Sequence, residues 1–136
     1  MTDHEVFAQR LSQGGSVVTT RCAQVMLDTD FEDRHDAFKP VELLLAAVAG
    51  GLLEGIARAR SSLELSILDV AVRVHGRSQD APPKLSRIDY TIWLESDESD
   101  RRLELLHEHL KEFGTVFNTV AAGCPLEGTV NRGRPE

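Results

Sequence analysis

Residues 40–60, "PVELLLAAVAGGLLEGIARAR", decide how the rest of the chain must fold. Pro40 can open a helix, because the first turn has no use for its missing N–H, and Glu42 suits the positive end of the helix dipole. Glu54 and Arg58 stand four apart, the spacing of an ion pair on one helix face. From Leu43 to Leu53 the segment is apolar on all sides, and such a helix must be enclosed. It nevertheless carries Gly50, Gly51 and Gly55, each of which costs a helix interior roughly 1 kcal/mol relative to alanine. Either something approaches the backbone closely here, or a functional side chain is missing.

The flanks supply the other layers. Residues 3–13 read as a short helix, and Ser16–Asp28, "SVVTTRCAQVMLD", as one β-branched strand at a sheet edge. "TDFEDRHDAFK" is a charged loop. Beyond the helix, Leu68, Val70, Val72 and Val74 alternate with Asp69, Arg73 and His75. After the "APPK" turn, Ile88, Tyr90, Ile92 and Leu94 repeat that alternation, so the two segments form an antiparallel pair with one wet face. "SDES" caps a second helix with the stripe Leu103, Leu106, Leu110 and Phe113. Gly114 interrupts it, "TVFNTVAA" adds a further turn or two, and "LEGTV" makes a closing strand. The order predicts one α+β domain over 1–136, with a tail at 132–136 and the order of residues 1–15 left open. So small a domain can hardly cover a helix that is apolar all round, which points to a homodimer.

At 136 residues the chain is one domain's worth, and its 41% hydrophobic and 27% charged residues suit an ordinary globular core. A net charge of −7 argues against nucleic acid or an anionic membrane surface as the partner. Met1–Gly15 has no apolar core of the kind a secretory leader needs, and Leu43–Leu53 falls short of a bilayer span. The expected location is the cytoplasm, with Cys22 and Cys124 as reduced thiols.

Motifs for metal, phosphate or acyl chemistry are not evident. His107 and His109 sit two apart on a helix and so diverge, leaving both on a solvated face, while His4, His35 and His75 are scattered. The glycine pairs at 14–15 and 50–51 belong to no phosphate-binding pattern, and no G-x-S-x-G elbow occurs. Cys22 falls within a strand, and the residues beside Cys124 in "AAGCPLEG" offer no cation to activate it. No cofactor or metal is expected.

"KPVELLLAAVAGGLLEG" resembles the central helix of the OsmC/Ohr family, P-x-E-L-L-L-A-A-x-A-G-C. "VRVHGRSQDAPPKLSRIDYTIWLE" is similar to the family's strand pair, and "LLHEHLKEFGTVFNTVAAGCPLEGTV" to its second helix, which in active members bears a cysteine in a K-Y-C-P-V pattern. The resemblance covers residues 16–131 and implies an intertwined homodimer. It also implies thiol reduction of organic hydroperoxides, in which a peroxidatic cysteine becomes a sulfenic acid and a second cysteine resolves it. Carried over residue by residue, the peroxidatic position is Gly51, and the match in "KEFGTV" for the second cysteine is Gly114, with Cys124 ten residues further on. Val41 stands where hydroperoxide-reducing members have a glutamate, and the family's arginine could be Arg10, Arg21 or Arg34.

A glycine offers no nucleophile, so the resemblance implies the fold without the reaction. Three readings follow. In the first, a small hydrophobic or electrophilic ligand occupies an interfacial pocket enlarged by the two missing side chains. Its lining would come from Glu42, Ala47, Gly50, Gly51, Leu52, Gly55, Phe113, Gly114 and Phe117. In the second, Glu42, a histidine or Cys124 runs a different reaction. In the third, Ala47, Gly51 and Gly55 form a small-residue ridge that simply lets another helix come close.

Overall fold

A computed structural model describes all 136 residues. The elements are β1 (Phe7–Arg10), β2 (Ser16–Thr20), β3 (Ala23–Leu27), α1 (Pro40–Ser62), β4 (Asp69–Asp80), β5 (Pro83–Glu95), α2 (Asp100–Phe113), α3 (Thr115–Ala121) and β6 (Leu126–Arg132). Two compact units divide the chain, Met1–Leu44 and Leu45–Glu136.

The first unit is an antiparallel meander, β1-β2-β3. Residues 7–10 form a strand and not the expected helix, because Gly14 (φ 99) and Gly15 (φ 76) fold the chain back on itself. Leu11 N–H then reaches Gly15 O at 2.9 Å, and Phe7–Arg10 pair with Ser16–Thr19. The single strand expected over 16–28 is two strands. They are joined by a tight turn at Arg21 (φ 52) and Cys22, so Cys22 lies exposed at a turn and not within a strand. This unit has almost no core: Gly15, Ser16, Leu27 and Asp28 are its buried residues.

The second unit is built on a three-stranded sheet with β5 in the middle. β4 pairs with β5 antiparallel, and β6 pairs with it in parallel, as the α2–α3 crossover requires. Ile88, Tyr90, Ile92 and Leu94 of β5 are buried, as their alternation predicts. They meet Val48, Leu52, Ile56 and Ala59 of α1 and Leu103, Leu106 and Leu110 of α2 in one cluster. Each such large side chain contributes roughly 1.5–3 kcal/mol by leaving water. Leu68 and Phe113, expected inward, are instead 83% and 52% exposed, because each sits just outside or at the end of its element. Ser99 caps α2, its Oγ accepting the Arg102 N–H at 3.2 Å. Across the parallel pair, a Cβ on Gly128 would collide with the Tyr90 carbonyl oxygen, so β6 can approach β5 here only through glycine.

The 23 residues of α1 are enough to span a bilayer, which the shorter uncharged stretch understates. The helix packs on one face, through Val48, Leu52, Ile56 and Ala59. Within one chain it is not enclosed: Leu44 and Leu53 are each 43% exposed.

Candidate functional site

The glycine ridge of α1 faces other helices of its own chain. A Cβ on Gly51 would sit 3.2 Å from Val116 Cβ on α3, and one on Gly55 would sit 2.7 Å from Leu110 Cδ2 on α2. The missing side chain at Gly51 therefore leaves no enlarged hole, because Val116 fills the place. Gly114 is buried at the junction of α2 and α3, where a Cβ would meet Leu110 O and Phe117 Cβ, both at 3.0 Å. Leu52 is in the core and Phe117 packs against it. Ala47 and Gly50 are exposed, and nothing lies within 4 Å of a Cβ built at Gly50. The expected pocket residues thus split into two sets. Gly51, Leu52, Gly55, Gly114 and Phe117 are packed within the chain, whereas Ala47 and Gly50 on α1 and Phe113 at the end of α2 are exposed.

Glu42 has a local role, since its carboxylate accepts the Lys39 N–H at 2.9 Å and closes the first turn of α1. On α1's next turns Glu54 and Arg58 pair at 3.6 Å, as their spacing predicts. The three arginines that could match the family's differ in setting. Arg10 pairs with Asp30 at 3.2 Å, Arg34 pairs with Asp36 at 2.9 Å, and Arg21 occupies the β2–β3 turn. Both cysteines are free, and Cys124 is half-buried against the core. Cys124 and Pro125 also reproduce the Cys-Pro pair of the K-Y-C-P-V pattern, which Gly114 and Thr115 do not.

Two sites are hidden from a reading of the sequence. His107 is not on a solvated face: its Nε2 shares a 2.5 Å hydrogen bond with the hydroxyl of buried Tyr90. Burial pushes the Tyr90 hydroxyl up to about 12, with the Glu127 carboxylate adding to it. The same burial, and then the Lys111 charge, hold His107 below its usual value. Tyr90 points inward from β5 and needs a partner for its hydroxyl, the one signal that could have singled out His107. His109 takes another direction, with Nε2 3.4 Å from Ser62 Oγ and its ring 4.7 Å from that of Phe113.

The second such site is the loop after β3. Burial raises the Asp28 carboxyl, but the backbone N–H groups of Arg34, Glu32, Asp30 and Asp33 outweigh it and hold the group below the usual carboxylate range. The stretch "TDFEDRHDAFK" reads as a charged loop and Asp28 before it as the end of a strand; Asp28 and Asp30 instead serve as part of the loop's scaffold.

Comparison with known proteins bears on what this arrangement is. The family model described as OsmC-like protein matches residues 33–128. An OsmC-like protein from Mycoplasma pneumoniae superposes with a TM-score of 0.89 at 15% identity, covering 98% of this chain and 99% of its own. An organic hydroperoxide resistance protein from Elizabethkingia anophelis gives 0.72 at 10% identity, covering 98% and 99%. One from Legionella pneumophila gives 0.67 at 14%, covering 98% and 100%. At such identities these likenesses speak for the fold alone, and no curated protein matches the chain significantly in sequence. The family model covers most of the length, from the loop before α1 into β6, and the chain belongs to the OsmC-like family.

Proposed function

We propose that this OsmC-like protein is a cytoplasmic homodimer that does not carry out two-thiol hydroperoxide reduction. In this reading it holds a small hydrophobic or electrophilic molecule where two copies meet. The observation that carries the first part is the packing of Gly51 against Val116: the position aligned with the peroxidatic cysteine has neither a nucleophile nor room for one without movement. The dimer is supported by the scant core of residues 1–44 and by the exposed apolar groups Val41, Leu44 and Leu53 on α1. The ligand would contact the exposed Ala47 and Gly50 of α1 and Phe113 of α2, and not the filled space at Gly51.

The test is consumption of cumene hydroperoxide with dihydrolipoamide as reductant. Wild type should match a Cys22→Ser/Cys124→Ser double variant; turnover that disappears with Cys124→Ser would overturn the reading and favour an enzyme using that thiol. Light scattering should give about twice the 15.0 kDa chain mass. Thermal-shift titration with medium-chain fatty acids tests the ligand, and no shift from any of them counts against it. In that case the ridge of Gly51 and Gly55 serves helix packing, and the dimer is an interaction module.

A further inference from the structure

The loop between β3 and α1 carries a side chain whose position nothing in its own unit explains. Phe31 is 100% exposed, and its backbone lies at φ 58, in the left-handed region that bulky residues avoid. Asp33, two residues on, lies at φ 53. The loop is held in this shape from within. The buried Asp28 carboxylate accepts the N–H of Glu32 at 3.3 Å and that of Arg34 at 3.1 Å. Asp30 accepts the Gly15 N–H at 2.5 Å. These bonds fix the backbone on both sides of Phe31, and none of them involves its ring. Backbone strain maintained by surrounding contacts is a mark of functional segments. The ring borders a cavity of about 400 Å3, lined also by Asp28, Asp33, Lys39 and Pro40.

We propose that this cavity binds a small uncharged aromatic molecule bearing a carbonyl-type acceptor, its ring against Phe31 and Pro40 and its acceptor on the Lys39 ammonium. The charges select a neutral head group. Lys39 Nζ is 3.2 Å from Asp33 Oδ1, so the one cation is already balanced. An anionic head would face the carboxylates of Asp28 and Asp33, and a cationic one would have to break the Lys39–Asp33 pair, because the Asp28 carboxylate is taken up by the Glu32 and Arg34 N–H groups. The ammonium still has protons to donate, since one pairing does not use all three. The volume lies at the small end of ligand pockets, which suits a single ring. A protein partner would need roughly 800 Å2 on this side, far more than one ring provides. The inference goes beyond the proposed function, and the site is complete within one chain, since Asp28, Phe31, Asp33, Lys39 and Pro40 all belong to residues 1–44.

The test is a 19F NMR titration of the full chain with 4-fluorobenzamide. Saturable binding is expected, with 4-fluorobenzoate binding more weakly. Phe31→Ser should weaken the amide about tenfold by removing the aromatic contact, and Lys39→Met about fivefold by removing the donor. Leu53→Ser, on α1, should leave it unchanged. An unaltered circular dichroism spectrum for Phe31→Ser would show that the exposed ring is not needed for folding. No saturable binding would overturn the proposal. So would binding that is lost with Leu53→Ser but kept with Phe31→Ser. If Phe31→Ser leaves binding intact but dissociates a dimer, the ring is a contact between copies and the proposal is likewise overturned.

Discussion

The hydroxyl of Tyr90 and Nε2 of His107, 2.5 Å apart, join the middle strand of the sheet to α2. Tyr90 also meets Phe117 of α3 edge-on, with ring centroids 6.1 Å apart, and it lies over Gly128 of β6. One side chain of β5 thus touches α2, α3 and β6.

Tyr90→Phe keeps the ring and removes one partner of a buried hydrogen bond. It should lower stability by about 1–2 kcal/mol, while Tyr90→Ala, which also leaves a cavity, should lose about 3–5 kcal/mol. Urea denaturation checks both. Equal losses would mean that the ring, and not the bond, is what matters.

The same pair makes stability depend on pH. In the unfolded chain His107 titrates near 6.5, and in the folded protein it titrates lower. The unfolded state therefore binds the proton first. The stabilising contribution is complete above about pH 6.5 and is lost as the pH falls through the lowered folded value. Melting temperature should fall between pH 7.5 and pH 5, and His107→Gln should flatten that slope. An identical slope in the variant would assign it to other groups.

Gly128→Ala places a methyl group against the Tyr90 carbonyl, and backbone cannot rotate away as a side chain can. A loss of about 2–4 kcal/mol is expected, within the range for severe overpacking. Gly50→Ala is the contrast, since nothing lies near that position, and it should gain up to about 1 kcal/mol of helix propensity. Thermal melts of the two variants should move in opposite directions.

Gly51→Cys restores a thiol but pushes on Val116. If the two positions compete for one space, Val116→Ala should relieve the new side chain. A double-mutant cycle should then give a coupling of at least about 0.5 kcal/mol. Strict additivity would show that α3 simply shifts aside. Peroxidase activity gained by Gly51→Cys with Val116→Ala would show that the reaction lacks only its nucleophile and the room for it.

Leu53→Glu places a charge on the open apolar side of α1, where wild-type leucine is 43% exposed. It should convert the proposed dimer to monomer in light scattering and leave the core residue Leu52 undisturbed. A dimer that survives this change would move the interface elsewhere.

Periodicity makes α1, the β4–β5 pair and α2 legible, because a buried face leaves a regular trace in the sequence. Tyr90 and the three residues that alternate with it are the clearest case. The first unit is harder. β1 has no buried face, so residues 7–10 carry no alternation, and the turn at Arg21 and Cys22 uses a left-handed residue other than glycine or asparagine. Gly51 shows a different limit. Sequence can say that a side chain is missing, but whether the space is empty depends on α3, far along the chain. His107 is illegible for a similar reason: its partner lies on a strand, and helical spacing carries no information about it.

The parallel pairing of β6 has one more consequence. β5 bonds β4 along one side, and its other side is satisfied only by Leu126–Arg132, which reach it after two helices have crossed over. A chain truncated before Leu126 would therefore leave the strand with the most buried residues with an open row of N–H and C=O groups. Such fragments should aggregate by recruiting strands from one another, so damage to this segment turns a folding defect into a problem of protein quality control.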